Sequence, residues 1–210
     1  IALFQNDKSV DRRAKAIDQF LANPSWADHW VSYWQDVLAE NPGMLKPSLN
    51  NTGPFRGFIY DSFRDNKPFD RFITELVQME GSIYSGGPGG FSMASENDVP
   101  MAAKAHIVSK AFLGMELGCA RCHDAPFHPF KQEQLFNLAA MLKRAPQKVP
   151  ETSSIPTNAH IKIGSVVNVT LPPGSVVKPS WPFANKADGL PKDFLRNPKD
   201  TREELAALIT

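Results

Sequence analysis

Cysteine is nearly absent: a chain of 210 residues contains two, Cys119 and Cys122. With no other thiol, a disulfide framework is excluded. Long apolar runs are also missing. No stretch approaches the roughly 18 consecutive apolar residues that span a bilayer, so no transmembrane segment is expected. Excess charge of either sign is missing too, since 23 Lys and Arg against 22 Asp and Glu leave a formal net charge of +1. That balance argues against a nucleic-acid binder, which needs a basic surface. The start, Ile1-Ala2-Leu3-Phe4, has no initiator Met, no basic n-region and no long h-region. It reads as cut from a longer protein, so the missing leader says nothing of location. What is present, 42% apolar and 21% charged residues, suits a folded domain.

Half of the 18 prolines lie beyond Ala145, which sets a compositional boundary near Ala145 and Pro146. Residues 1–145 read as a helical domain. Residues 146–210 read as a Pro-rich, extended or β segment followed by the start of another domain. The expected fold class is therefore mainly α, a helical domain with a short extended C-terminal segment. Residues 9–22 predict a first helix with Val10, Ile17 and Leu21 on one face. Asn23-Pro24 is a cap and first-turn pair for a helix over about 24–39, with Trp26, Trp30, Tyr33, Trp34 and Val37 as a wide aromatic stripe. Asn41-Pro42-Gly43 should end it.

Two further helices are expected over 55–65 and 68–79, the second with Pro68 in its first turn and Phe69, Phe72, Ile73 and Leu76 on its apolar face. Gly86-Gly87-Pro88-Gly89-Gly90 has the glycines of a phosphate-binding loop but neither a Lys-Ser/Thr pair nor a preceding strand, so it reads as a plain loop. A long helix over about 98–117 should carry Val108, Phe112, Met115 and Cys119 on one face and deliver the cysteines at its end. Another helix covers about 132–143. Residues 161–171 and 175–177 read as strands. Thr201 with Glu204 resembles a capping box for a helix over 201–209.

Both cysteines fall in Cys119-Ala120-Arg121-Cys122-His123, a CxxCH motif. On a helical turn, residues three and four apart lie on one side, so both thiols and the imidazole can meet one flat ligand. This is the attachment signature of haem c, where the thiols form thioethers and His123 binds iron on the proximal face. Three alternatives stand beside it. Zinc needs four ligands, so distant histidines would have to complete the site. A thiol–disulfide redox pair usually sits at a helix N-terminus, whereas this pair follows a helix. The third is a pair of inert thiols beside a surface histidine.

The run Gly118-Cys119-Ala120-Arg121-Cys122-His123-Asp124-Ala125-Pro126-Phe127-His128, with the segments 26–30, 65–72, 111–117 and 134–140, resembles the second planctomycete-type cytochrome domain, a family largely of unknown function. The resemblance covers about residues 5–145, and residues 201–210 look like the opening of the partner domain that usually follows. It implies a covalent haem c within a large exported protein of the periplasm or cell envelope. The partners it implies are other domains of the same polypeptide and an unknown redox partner. Family members often read Cys-His-Asp-His. Here Ala125 takes the place of the second histidine, so any iron-binding role of that position is lost.

The second axial position decides the chemistry: Met favours electron transfer at high potential, a second His lowers the potential, and an open position admits small molecules. His29, which the resemblance also places in the Trp helix, is the first candidate, and Met141, C-terminal to the motif, the second. His128 is too near His123, His106 is expected on the wrong side of its helix, and His160 completes the histidines. Arg121 could pair with a haem propionate or lie solvated at a helix end. Asp65, Asp70, Glu75 and Glu80 form no isolated pair in an apolar setting, so no catalytic residue is assigned. The functional expectation is an electron-transfer module. The alternatives are a haem enzyme with an open iron site and a non-haem scaffold associated with carbohydrate.

Overall fold

The computed structural model describes residues 2–38, 52–93, 99–151, 167–183, 193 and 195–210. It is mainly helical. Its helices are α1 (Ala2–Asn6), α2 (Arg12–Leu21), α3 (Pro24–Leu38), α4 (Thr52–Arg64), α5 (Phe69–Gln78), α6 (Pro100–Leu113), α7 (Gln132–Lys143) and α8 (Thr201–Ile209). Two short 3-10 helices, Pro88–Met93 and Gly118–Arg121, connect them. The strands are β1 (Gln147–Lys148) and β2 (Val176–Val177), antiparallel with Gln147 opposite Val177. No described helix is long and apolar enough to cross a membrane.

At the centre, α6 packs along α7; α3 packs along α4 and touches α6, while α8 packs on α5 and α7. Aromatic rings fill the space where α3 to α6 meet. Trp34 of α3 stacks on Phe112 of α6, with ring centroids 6.1 Å apart. It also meets Phe69 and Phe72 of α5 at 5.6 Å each and Phe63 of α4 at 6.1 Å. Phe72 stacks in turn on Phe58 at 5.4 Å. Offset and edge contacts in this range follow the ring quadrupole.

Helix ends follow local chemistry. Asn23 Oδ1 accepts the Ser25 N–H at 2.9 Å, the cap expected for α3. Pro68, expected in the first turn of α5, is instead its N-cap, with an extended ψ of 136°. For α8 the cap is Asp200 rather than Thr201, and its carboxylate accepts the N–H groups of Arg202 and Glu203. The Thr201 hydroxyl donates to the Met141 carbonyl at 2.7 Å, fastening α8 to α7. Arg202, half-buried, donates to the carbonyls of Gln78 and Leu142. These close α5 and α7, where a cation complements the helix dipole.

Several expectations need correction. The long helix over 98–117 stops at Leu113, because Gly114 adopts φ 66° as its left-handed cap. Cys119 therefore does not continue the face of Val108 and Phe112; it sits on a separate 3-10 turn. The deepest face of α3 is Ala27, Val31 and Leu38, with Trp34 beside them, while Trp26 and Trp30 flank the seam and Tyr33 is exposed. An indole is too bulky for the tightest line between two helices. Phe69 is half exposed at the start of α5, so the buried face there is Phe72, Ile73, Leu76 and Val77. The first helix is shorter than expected and buries nothing; Val10, Ile17 and Leu21 are exposed. Pro88, Gly89 and Gly90 open a 3-10 helix rather than a loop. Of the strand expected over 161–171, residues 161–166 lie outside the described residues, and 167–171 form no strand. Val176–Val177 is a strand, and its partner is β1. Asn41-Pro42-Gly43 lies outside the described residues.

Two measurements check this account. Phe72→Ala should cost about 3–5 kcal/mol in denaturant unfolding, since it empties the centre of the aromatic cluster. Val10→Ala, at an exposed position, should stay within about 0.5 kcal/mol of the parent. The second concerns pH. Burial alone would raise the Asp200 carboxyl, but the Arg144 guanidinium and the α8 N–H groups hold it below the ordinary carboxylate range. A depressed folded-state pKa gives stability that is complete above about pH 4 and lost as pH falls through the folded value. Asp200→Asn should flatten that part of the acid limb of a stability–pH curve.

Candidate functional site

The cysteine turn begins where Gly114 ends α6. Leu117 and Ala120 are fully buried and anchor it, and the turn packs on α7. Between them, Gly118 allows close approach of two side chains: a Cβ there would lie 2.9 Å from Glu116 Oε1 and 3.2 Å from the His106 ring. Both thiols are free, with Cys119 exposed and Cys122 half-buried. The N–H groups of Cys122 and His123 each donate to the Cys119 carbonyl at 3.2 Å, which closes the turn and brings Cys119, Arg121, Cys122 and His123 together. Arg121 is half-buried.

His123 Nδ1 lies 2.7 Å from the Asp124 carbonyl oxygen. A carbonyl only accepts, so the neutral imidazole carries its proton on Nδ1 and keeps the Nε2 lone pair for an electrophile. Asp124 is held from several directions. Its Oδ1 accepts the Gln132 N–H at 2.9 Å and the Thr170 hydroxyl at 2.7 Å. Its own N–H donates to the Asn168 carbonyl at 2.7 Å. Gln132, fully buried at the start of α7, uses Oε1 to accept the N–H groups of Thr170 and Leu171 at 2.9 and 3.0 Å. The first turn of α7 is a favourable place for the Asp124 carboxylate, because the helix dipole presents positive charge there.

The remaining candidates fall elsewhere. His29 is exposed on α3 with its ring edge-on to Trp30 at 5.6 Å. That helix reaches the cysteine turn by way of α6. Met141 is fully buried in the core. His128 is exposed in the loop after the turn, and His160 lies outside the described residues. His106, expected to face away, instead lies against Gly118 and lines a groove of about 680 Å³ between α3 and α6 with Tyr33, Trp34, Val37 and Ile107. Its Nδ1 is 3.4 Å from Glu116, which also contacts Lys110 at 3.1 Å. Burial would raise the Glu116 carboxyl, but Lys110, the Gly118 N–H and His106 hold it below its ordinary value.

Among the described residues, no three His, Cys, Asp or Glu side chains converge to hold a metal ion directly. The zinc alternative therefore finds no donor set there. The sequence reading missed Asp124, Gln132 and Thr170. An Asp directly after the motif, ahead of a helix start, is a local capping signal, but its partnership with Thr170 is long-range and leaves no pattern.

A mainly helical body that presents one CxxCH turn through a clamp of side-chain hydrogen bonds defines the class. The chain belongs to PSCyt2, described as a protein of unknown function (DUF1549), which matches over residues 1–147; the name marks a cytochrome-related domain. This bears out the family read from the sequence over about residues 5–145. No curated protein matches the chain, and no solved structure does.

Exposure separates the two thiols, and reactivity follows access to the thiolate. Iodoacetamide should label Cys119 several-fold faster than Cys122 in the native chain, read by peptide mass spectrometry. Equal rates would contradict the described turn.

Proposed function

We propose that the chain binds haem c and passes electrons within a larger exported protein of the cell envelope. The observation that carries this reading is the 2.7 Å contact of His123 Nδ1 with the Asp124 carbonyl, beside two free thiols, one exposed and one half-buried. A haem c site needs two accessible thiols and one neutral imidazole nitrogen, and metal-binding histidines usually donate the other ring N–H to a carbonyl or carboxylate. This donor set fits. Cys119 and Cys122 would hold the macrocycle, His123 Nε2 would bind the iron, and Arg121 would pair with a propionate. When bound, haem supplies one-electron chemistry at its iron.

The chain's own contribution is placement. Buried Leu117 and Ala120 keep the backbone of the turn in the core while leaving Cys119 outside. The groove beside His106 offers Trp34, Val37 and Ile107 as apolar wall next to the turn. His29, exposed on α3, would be the second residue to bind the iron. Met141 is sealed in the core and would have to break its packing to reach any ligand. Other domains of the same polypeptide and a separate redox protein are the partners this function requires.

The test is an optical spectrum of the chain, oxidised and reduced, after co-expression with a c-type haem maturation system. A sharp reduced spectrum that survives denaturation and acid–acetone extraction supports the reading. Its absence sinks it. In the loaded chain, Cys119→Ala should cut covalent haem severely and His123→Ala should lose the wild-type ligand spectrum. His29→Met should move the reduction potential upward, as Met for His does at haem iron; an unchanged potential removes His29.

A further inference from the structure

The Asp124 carboxylate makes no contact with a surface cation in its described bonds; both of its described partners are donors of the fold, the Gln132 N–H and the Thr170 hydroxyl. We propose that Asp124 is the positioning residue of His123, setting the tautomer and orientation of its imidazole. The consequence for iron rests on the haem reading above; the positioning itself does not.

The argument runs through one peptide plane. The Asp124 carbonyl that receives the His123 Nδ1 proton shares its rigid plane with the Ala125 N–H. That N–H donates to the Phe130 carbonyl at 2.8 Å, so the far side of the plane is pinned. The preceding peptide plane, joined to this one at the Asp124 Cα, is pinned by the Asp124 N–H on the Asn168 carbonyl, 2.7 Å away. The carboxylate closes the arrangement by joining two separate pieces of chain, the first residue of α7 and Thr170. Gln132 then ties those pieces to each other through Thr170 and Leu171. With its own N–H bonded and its Cα held through the neighbouring N–H and the carboxylate, the plane keeps its carbonyl directed at Nδ1. The bond costs His123 no choice of partner, and Nε2 is left as the ligand nitrogen.

Loss of the carboxylate should act in two stages. In the chain without haem, the imidazole should relax from the Nδ1–H tautomer toward a mixture. In the chain with haem, a weaker Nδ1–H bond makes the imidazole a poorer donor to oxidised iron, so the reduction potential should rise. A role in stability alone moves neither reading.

The experiment compares the parent with Asp124→Ala, Asp124→Asn and Thr170→Val, each first checked for cooperative unfolding. The His123 tautomer is read from ring nitrogen-15 shifts of the haem-free chain at about pH 8, above the ordinary imidazole range. The potential is read on the haem-loaded chain. The expected result is an Nδ1–H tautomer in the parent, a mixture in Asp124→Ala, a smaller shift in Thr170→Val and recovery in Asp124→Asn, which keeps an acceptor oxygen. An unchanged tautomer in a folded Asp124→Ala chain overturns the proposal. If Asp124→Ala does not fold, an unchanged tautomer in Thr170→Val overturns it instead. If the parent takes up no haem, the haem reading fails while the tautomer measurement still decides this one.

Discussion

The stack of Trp34 on Phe112 governs much of the architecture. One indole meets rings from α4, α5 and α6, so four helices share a single packing point. The position of α6 matters most for function, because the cysteine turn begins just beyond its C-terminus. The same indole also walls the groove beside His106, so the contact that sets α6 also shapes the surface next to the cysteines.

The second organising feature is polar. The turn carries little of its own rigidity, since its intrinsic backbone bonds are the Ala120 N–H on the Leu117 carbonyl and the Cys122 and His123 N–H groups on the Cys119 carbonyl. Rigidity reaches it from outside, through Asp124, Gln132 and the stretch 168–171. At the other end of α7, Arg202 and Arg144 do comparable work: Arg202 closes carbonyls on α5 and α7, and Arg144 grips both Asp200 oxygens and Glu80. Helix α7 is thus tied at its N-terminus to the cysteine turn and at its C-terminus to α8.

Much of this was legible in the sequence where the cause was local. The Asn23-Pro24 start of α3, the bounds of α7 and α8, and the apolar face at Phe72, Ile73 and Leu76 follow from caps and periodicity. The motif itself needs only adjacency. Legibility failed where a distant partner or a single backbone angle decided. Gly114 breaks α6 because it takes a left-handed conformation, yet an isolated glycine inside a helical pattern is also compatible with continuation. The shift of the buried line on α3 from the tryptophans to Ala27, Val31 and Leu38 depends on how closely α4 approaches. The neighbourhood of His106 and Gly118 depends on both. Thr170 pairs with Asp124 across 46 positions, which no spacing rule anticipates.

The clamp on Asp124 has a consequence for where this unit ends. Family membership is recognised over residues 1–147, yet Asn168, Thr170 and Leu171 hold the cysteine turn, and Leu205, Ala206 and Leu208 are buried where α8 meets α5 and α7. The region that recurs among relatives and the region that completes the structure are not the same. A fragment cut at the family boundary would keep every residue of the motif and lose the contacts that hold it still. For a ribosome making the chain from its N-terminus, the cysteines emerge well before their restraint. The interval between the two is one in which the thiols are present and the turn is not yet braced.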